Sequence, residues 1–307
     1  MQQRFFKQVD VFTAKPYLGN PLAVVLDGSG LDDAAMRRFA RWTNLSETTF
    51  VLPPTQSAAD YRLRIFTPGG ELPFAGHPTL GSCHAWLESG GQPKSKEFIV
   101  QECAKGLVNI RRDAGSNRLA FASPSLTRTA PSPAQLALVA SALGIKSAQI
   151  TAAQLLDNGP VWLGLLLDSP ETVLQLLPDH QQLAKLNMKV GAAGIYVSPA
   201  SPLIARANRE AQAFVQQKPD VMPDLEVRAF AACMGVNEDP VTGSLNASLA
   251  QWLIADGYMP DHYTASQGVC MSRAGQVDLQ RDEVSDSAGQ VWVGGQSVTC
   301  IDGNVML

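Results

Sequence analysis

Two stretches of the sequence repeat each other: Gly76-His77-Pro78-Thr79-Leu80-Gly81-Ser82-Cys83-His84-Ala85-Trp86-Leu87 and Glu238-Asp239-Pro240-Val241-Thr242-Gly243-Ser244-Leu245-Asn246-Ala247-Ser248-Leu249. When His77 is aligned with Asp239, the two stretches share Pro, Gly-Ser, Ala and Leu at the same positions. Each predicts a helix with Pro at its first position, where the missing N–H costs nothing, and with a glycine, Gly90 or Gly257, after its end. The repeat predicts two related halves.

Both predicted helices are thin, because small residues occupy much of their surface. Their apolar residues point in several directions instead of forming one stripe, which is typical of a buried helix. Around them the sequence is rich in short alternating segments typical of strands. We therefore predict that a sheet encloses each helix. The small residues are Gly81, Ser82 and Ala85 in the first copy and Gly243, Ser244, Ala247 and Ser248 in the second.

The repeat and the length of 307 residues favour two domains. Residues 123–132, rich in Pro, Ser and Thr, are the best linker candidate. We predict an N-terminal domain of residues 1–128 and a C-terminal domain of residues 129–307. The pattern leaves open whether the last strand, within residues 290–300, returns to the N-terminal domain. Residues 205–224 are predicted to be a polar insertion.

Composition excludes several classes of function. A net charge of −4 and a pI near 5.6 give no basic surface for nucleic acid. The most apolar run, Val161–Leu167, is too short to span a membrane, and the first residues do not resemble a secretion signal. Five cysteines without a Cys-x-x-Cys motif suit free thiols in the cytoplasm, which is where we expect the protein.

The sequence contains no motif for a metal or a cofactor. The four histidines have neither His-x-x-x-His nor Cys/His ligand spacing, so we expect no bound metal. Gly-x-Gly-x-x-Gly and Walker motifs are missing from the sequence, so dinucleotide and P-loop functions have no support. We expect a protein that works without a cofactor on a small molecule.

The starts of the two repeat helices are the first candidate site. A helix start carries unpaired N–H groups and the positive end of the helix dipole, and two such ends facing each other would form a cleft for a carboxylate or an enolate oxygen. At Asp239, a helix cap and a site residue are equally good interpretations. Histidine is a poor helix cap, so the position of His77, equivalent to Asp239 in the repeat, favours a role in the site.

Glu47 is the candidate for proton transfer. Taken alone, its surroundings, Leu45-Ser46-Glu47-Thr48, suit an exposed loop acid. The comparison of halves changes that interpretation, because the corresponding region, residues 190–194, has no carboxylate. A duplicated scaffold with one acid suggests one proton-transferring group, with the other half serving as wall and anchor.

Several motifs in this order resemble the PhzF-like (phenazine biosynthesis) family. The resemblance implies an α+β fold of the diaminopimelate epimerase type: two pseudo-symmetric domains, each a mixed β-sheet rolled as a barrel around a central helix. It also implies a homodimer. The motifs are Val9-Asp10-Val11-Phe12-Thr13, Gly19-Asn20-Pro21-Leu22-Ala23-Val24-Val25, Leu45-Ser46-Glu47-Thr48, Phe74-Ala75-Gly76-His77-Pro78-Thr79, Glu238-Asp239-Pro240-Val241-Thr242-Gly243-Ser244, and Gln267-Gly268 with Arg273 and Gly275.

The same resemblance implies roles for individual residues. The best-known member isomerises trans-2,3-dihydro-3-hydroxyanthranilate without a cofactor. Its acid/base glutamate falls on Glu47, and further catalytic roles fall on His77 and Asp239. Expected substrate-binding residues are Gly76, Ser244 and Asn20. Related epimerases carry two catalytic cysteines at the two helix starts, where this chain has His77 and Asp239.

The sequence therefore predicts a cofactor-independent isomerase that shifts a proton on a small carboxylate-bearing substrate in a cleft between the domains. Glu47 would remove the proton and return it at another carbon, while His77 and Asp239 hold and polarise the substrate. Two alternatives stay open: an epimerase or racemase that uses Glu47 and a second base, and a non-catalytic binder of small molecules on the same fold.

Overall fold

The structure, a computed structural model, describes residues 1–113, 115, 117–196, 222–282 and 289–307. The chain divides into two compact units, residues 1–123 with 290–307 and residues 124–289. The end of the chain thus belongs to the first unit. A domain boundary between residues 128 and 129 stays a prediction. Most of the predicted polar insertion, residues 205–221, lies outside the described residues.

The described residues form strands and α-helices with the following bounds. The strands are β1 (Gln3–Val11), β2 (Asn20–Val25), β3 (Glu47–Leu52), β4 (Tyr61–Thr67), β5 (Gly70–Leu72), β6 (Ile99–Cys103), β7 (Gly106–Arg112), β8 (Leu119–Ala122), β9 (Thr127–Thr129), β10 (Ile150–Asp157), β11 (Val161–Leu167), β12 (Lys189–Ile195), β13 (Leu225–Ala231), β14 (Val236–Asp239), β15 (His262–Gln267), β16 (Gly275–Arg281), β17 (Val291–Gly295) and β18 (Ser297–Met306). The helices are α1 (Asp33–Thr43), α2 (Gly76–Glu88), α3 (Pro133–Leu143), α4 (Pro170–Leu174), α5 (His180–Lys185) and, as numbered here, α6 (Gly243–Ala255).

The first unit contains one mixed sheet. Its strands are hydrogen-bonded in the order β18, β1, β2, β3, β4, β6, β7, β8 and β17, and β5 pairs with β4. The pairs β2–β3 and β4–β6 are parallel, and the other pairs are antiparallel. The two edge strands of this sheet, β17 and β18, are consecutive in the chain and are separated by one residue, Gln296.

The second unit repeats this pattern of ladders. Its strands follow the order β9, β10, β11, β12, β13, β15 and β16, with β14 beside β13. Here β11–β12 and β13–β15 are the parallel pairs, in the places that β2–β3 and β4–β6 occupy in the first unit. Both sheets are mixed and the helices are few, as predicted. The ladders between described residues leave the sheets open, and the rolled barrel stays a prediction.

The two repeat helices are buried, as predicted. Helix α2 contacts β1, β2, β3, β4, β8 and β18 of its own unit, and α6 contacts β10, β11 and β16 of the second unit. Nine of the thirteen residues of α2 are buried, and ten of the thirteen of α6. Gly90 and Gly257, with φ of +90° and +76°, follow the two helix ends in the left-handed conformation that glycine adopts without strain.

The predicted start of both helices is wrong. Pro78 is the third residue of α2, which begins at Gly76, while Pro240 lies three residues before the start of α6. The second copy starts later because the Gln267 side chain holds the preceding turn, accepting a hydrogen bond from the Thr242 N–H at 3.0 Å. The repeated residues therefore do not lie in the same turns of the two helices.

Helix α1 packs against the sheet of the first unit and forms a separate apolar cluster with it. Its buried face, Met36, Phe39 and Ala40, packs against Val25, Phe50 and Phe66 of the sheet. No helix formed by the described residues is long and apolar enough to cross a membrane.

The close approach of β12 to α6 gives a test of this packing. A Cβ on Gly191 would lie 2.3 Å from Cδ1 of the buried Leu245, so Gly191→Ala should overpack the second unit and lower the free energy of unfolding by about 1–3 kcal/mol. Urea unfolding measures the change. The control is Gly303→Ala in β18, where a Cβ meets nothing within 4 Å and the change should stay within about 0.5 kcal/mol. Equal stability of the two variants would contradict the packing of α6 against β12.

Candidate active site

The first unit brings Glu47 and His77 together. Glu47 is the first residue of β3, and His77 is the second residue of α2, which packs against that strand. The Oε2 atom of Glu47 lies 3.4 Å from Nε2 of His77. The exposed fraction is 6% for the histidine side chain and 16% for the glutamate side chain, although the Oε2 atom that faces the ring is itself buried. Glu47 is thus a strand residue and does not lie in an exposed loop.

Burial keeps the imidazole of His77 neutral. Loss of solvent at this position lowers the pKa of His77 from 6.5 to about 3. At neutral pH the ring therefore carries one proton and can donate one hydrogen bond and accept another. A neutral imidazole beside a carboxylate can position that carboxylate or donate to an oxygen of a substrate that gains negative charge.

The start of α2 is an environment suited to negative charge. Ala75, in an extended conformation, occupies the cap position, and no described side chain caps the helix. The first N–H groups of a helix point away from its body and carry the positive end of the dipole. Gly76, an expected substrate-binding residue, is the first residue of the helix and is buried.

Asn20 lies on the other side of the histidine ring. It is the first residue of β2, opposite the last residue of β1, Val11, and its exposed fraction is 0%. The Nδ2 atom of Asn20 lies 3.5 Å from Nδ1 of His77. The structure therefore places Asn20 against His77, with no solvent-exposed surface of its own.

Asp239 does not cap α6. The cap position belongs to Thr242, and the carboxylate of Asp239 accepts a hydrogen bond of 2.6 Å from the Thr242 hydroxyl. The interpretation of Asp239 as a helix cap is therefore wrong. Asp239 is the last residue of β14, and hydrogen bonds within the turn that follows keep the chain from continuing directly into the helix.

Gln267 ties this turn, and the sequence showed it only as part of the motif Gln267-Gly268. Its Oε1 accepts from Thr242 N at 3.0 Å and from Asn246 Nδ2 at 2.8 Å. Its Nε2 donates to the Asp239 carbonyl and to the Thr242 hydroxyl, both at 3.0 Å. Through these four bonds, three of them buried, the side chain fixes the position of Asp239 relative to the start of α6.

Ser244, the second residue of α6, is half-buried. Its Oγ accepts a hydrogen bond of 3.1 Å from Nε1 of Trp162, and its carbonyl accepts one of 3.0 Å from Asn158. The predicted residues thus fall into two groups: Glu47, His77, Gly76 and Asn20 lie together in the first unit, and Asp239 and Ser244 lie near the start of α6 in the second.

The ladders identify the counterpart of Glu47 in the second unit as Lys189. Glu47, the first residue of β3, lies opposite Leu22 of β2. In the corresponding ladder, Lys189, the first residue of β12, lies opposite Trp162 of β11, and its Nζ is 5.7 Å from the centre of the Trp162 ring. A cation therefore occupies the place that corresponds to the acid, so the two units differ in charge at this position.

Two buried cysteines of the first unit, Cys83 and Cys103, do not offer a second base. Cys83 lies in the middle of α2, where burial raises the pKa of its thiol to about 12, so it is protonated at neutral pH. Cys103 is also buried, and burial raises the pKa of its thiol as well. In the part of the chain that the structure describes, no group of three or more His, Cys, Asp or Glu side chains is arranged to hold a metal ion.

Comparison with known proteins agrees with this architecture. A model of the family described as phenazine biosynthesis-like protein matches residues 9–303. Antisense-enhancing sequence 1 of Schizosaccharomyces pombe is 38% identical over 311 residues, which cover 99% of each chain. The trans-2,3-dihydro-3-hydroxyanthranilate isomerase of Pseudomonas aeruginosa is 30% identical and aligns with 97% of this chain and 98% of its own. A PhzF-family protein of Bacillus anthracis superimposes with a TM-score of 0.82 over the whole of both chains, at 21% identity.

This chain belongs to the phenazine biosynthesis-like (PhzF) family. Within that family it is an isomerase of the PhzF type, as the motifs around Glu47, His77 and Asp239 predicted. The match runs across both compact units, so the family assignment covers the whole architecture described above.

The burial of a neutral His77 predicts a specific dependence of stability on pH. The unfolded ring titrates near pH 6.5 and the folded ring near 3, so between these values the unfolded chain binds more protons and stability falls as pH falls. The stability is complete above about pH 6.5 and decreases below it by up to about 1.4 kcal/mol per pH unit. Urea unfolding between pH 7 and pH 4.5 should show a steeper loss for the wild type than for His77→Asn. His262→Asn, at an exposed position, should keep the wild-type slope. Parallel curves for the wild type and His77→Asn would refute the neutral, buried state of His77.

Proposed function

We propose that Glu47 is the acid/base group of a cofactor-independent proton shift. Its carboxylate removes a proton from an acidic C–H of the substrate, the electron pair moves into the adjoining π system, and the Glu47 carboxyl, whose proton exchanges with solvent, returns a proton at another carbon. Atoms and electrons balance within the substrate, so the step needs no oxidant, reductant or metal. The observation that carries the proposal is the 3.4 Å approach of the Glu47 carboxylate to the neutral imidazole of His77.

The surroundings of Glu47 suit this chemistry. The Glu47 side chain is 16% exposed, so a substrate can reach a carboxylate whose remaining surface is already desolvated. Since His77 is neutral, it does not lock the carboxylate in a full ion pair, which would weaken it as a base. The uncapped start of α2 would stabilise negative charge that develops on an oxygen of the substrate.

We place the holding of the substrate on Gly76 at the start of α2 and on Asp239 and Ser244 of the second unit. The fixed turn between Asp239 and Thr242 supports this role for Asp239. Gln267 donates to the Asp239 backbone carbonyl and to the Thr242 hydroxyl, and that hydroxyl donates to the Asp239 carboxylate, which would hold the carboxylate in one position before substrate binds. The substrate would be a small carboxylate-bearing molecule, cyclic or derived from an amino acid. The compound to test first is trans-2,3-dihydro-3-hydroxyanthranilate, on which the Pseudomonas aeruginosa relative acts.

The proposal includes the finer architecture and the setting of the protein. We propose that each sheet rolls around its buried helix, that the substrate binds in a cleft between two domains, and that two chains form a homodimer in the cytoplasm. The family resemblance supports the cleft and the dimer. The free cysteines support a reducing compartment, since Cys83 and Cys103 are buried as thiols.

Replacing Glu47 tests the acid/base role. Glu47→Gln keeps the size and hydrogen-bonding shape of the side chain but cannot accept a proton, so turnover should fall roughly 10²- to 10⁴-fold. The measurement is deuterium incorporation from D₂O into the product, with Glu97→Gln, an exposed acid of the same unit, as the control that keeps the wild-type rate. Exchange at the wild-type rate in Glu47→Gln would transfer the role of base to His77.

The same measurement separates the alternative functions. An isomerase moves deuterium to a second carbon and gives a shifted double bond, whereas an epimerase or racemase exchanges the proton at one carbon and inverts it. A binder without catalytic activity gives no exchange above the control without protein.

Replacing Asp239 tests whether it acts on the substrate. In Asp239→Asn the side-chain carbonyl can still accept the hydrogen bond from Thr242, so the melting temperature should change little. Loss of a charged hydrogen-bond partner of the substrate should lower kcat/KM roughly 10- to 100-fold. Asp157→Asn, an exposed carboxylate that accepts from the Gly159 N–H, is the matched control. Equal loss of stability and activity in Asp239→Asn would leave it a structural role only.

A further inference from the structure

Asn20 occupies a place that a substrate contact does not normally have. Its exposed fraction is 0%, and its Nδ2 atom lies 3.5 Å from a ring nitrogen of His77. A side chain without exposed surface cannot reach a substrate directly unless the strand that carries it moves. Its effect on the reaction would then pass through His77.

The two ring nitrogens of His77 have different neighbours. Nδ1 faces the amide nitrogen of Asn20, and Nε2 faces the carboxylate of Glu47 at 3.4 Å. A neutral imidazole carries its one proton on one nitrogen, and the hydrogen bond made by the other nitrogen decides which. The amide N–H of Asn20 can only donate, and the carboxylate of Glu47 accepts. The two neighbours therefore favour the same tautomer.

We propose that Asn20 is a positioning residue that holds His77 as the Nε2–H tautomer, with its proton directed towards Glu47. This inference rests on the proposed roles of Glu47 and His77 and adds the way in which the ring is oriented. In this arrangement Asn20 donates to Nδ1, and Nε2–H lies 3.4 Å from the Glu47 carboxylate without a hydrogen bond to it, so it is free to donate to an oxygen of the substrate that gains negative charge.

The segment before Asn20 is built to hold it in place. The N–H of Gly19 donates to the carboxylate of Asp10 at 3.3 Å, and Asp10 is only 2% exposed. A Cβ on Gly19 would lie 2.3 Å from the carbonyl oxygen of Val11, so the chain can pass at this distance only as glycine. A buried carboxylate and a close backbone approach thus fix the residue next to Asn20.

The same connection contains a non-glycine residue in the left-handed conformation. Phe12, with φ of 66°, directly follows β1, and its side chain is completely buried. Such a backbone is unfavourable for a residue other than glycine and persists where the surroundings determine it. Burial of the Phe12 ring, and the hydrogen bond from the N–H of Thr13 to the Gln296 carbonyl at 3.0 Å, keep the connection in one conformation. Asn20 is therefore presented to His77 by a rigid element.

The tautomer can be read directly by NMR on the full-length chain without substrate. We expect the ¹⁵N spectrum of histidine-labelled protein at pH 7 to show His77 with the proton on Nε2, the resonance being assigned by its loss in His77→Asn. In Asn20→Asp the new carboxylate can only accept, so the proton should move to Nδ1. The matched control is Asn109→Asp, the same substitution at an exposed position of β7, which should leave the His77 tautomer unchanged.

A second variant keeps the test decisive if Asn20→Asp does not fold. Asn20→Leu keeps the branched arrangement of four side-chain heavy atoms and has no polar atom, so the proton of His77 should distribute over both nitrogens. In either variant, deuterium exchange into substrate should fall at least about tenfold, because the group facing Glu47 is no longer always a donor.

Three results would overturn the inference: a wild-type His77 with its proton on Nδ1, an Nε2–H tautomer that persists in both Asn20 variants, or a changed tautomer with unchanged exchange. The spectrum needs no substrate and no turnover. Its failure is therefore distinct from exchange that persists in Glu47→Gln, which would refute the proposed role of Glu47 instead.

Discussion

The burial of a helix against several strands of its own sheet is the constraint on which the rest of this structure depends. Contact with several strands leaves little room for side chains, so the buried helix has to be thin. Gly81 of α2 shows how little room there is, since a Cβ at this position would lie 2.7 Å from both Leu22 and Val11. In the second unit it is the sheet that gives way, because Gly191 makes room for Leu245 of α6. In both units glycine meets the same packing requirement from opposite sides of the contact.

Burial of the helix also determines the chemistry at the start of α2. The first turn of this helix is buried together with its histidine, and the ring loses its positive charge because water no longer stabilises it. A protonated histidine would form an ion pair with Glu47, whereas a neutral one leaves the carboxylate available as a base. The same burial makes the tautomer of the ring matter, because a buried imidazole cannot use water in place of a protein partner.

The repeat, the two buried helices and the pairing of Glu47 with His77 in one family motif set could be predicted from sequence. The repeated residues reflect local packing requirements, because the small residues and the glycines after the helix ends are needed at those positions. The start of α6 could not be predicted, because it depends on the side chain of Gln267, which comes from a later strand. The residue that corresponds to Glu47 was likewise visible only in the strand ladders. It is Lys189, which lies one residue before residues 190–194, the region that the comparison of the two halves used. Local patterns identify a helix, and distant side chains decide where it begins.

The path of the chain through the first unit has a consequence for biosynthesis. Strand β1 pairs with β18, which follows it in the chain only after residues 124–289, and these form a continuous unit in between. The second unit can therefore form its sheet during translation before β18 is made, whereas β1 keeps one edge open until β18 follows. An open edge is a template for pairing with other chains, so β1 is the strand of the first unit that stays exposed to mispairing longest during synthesis.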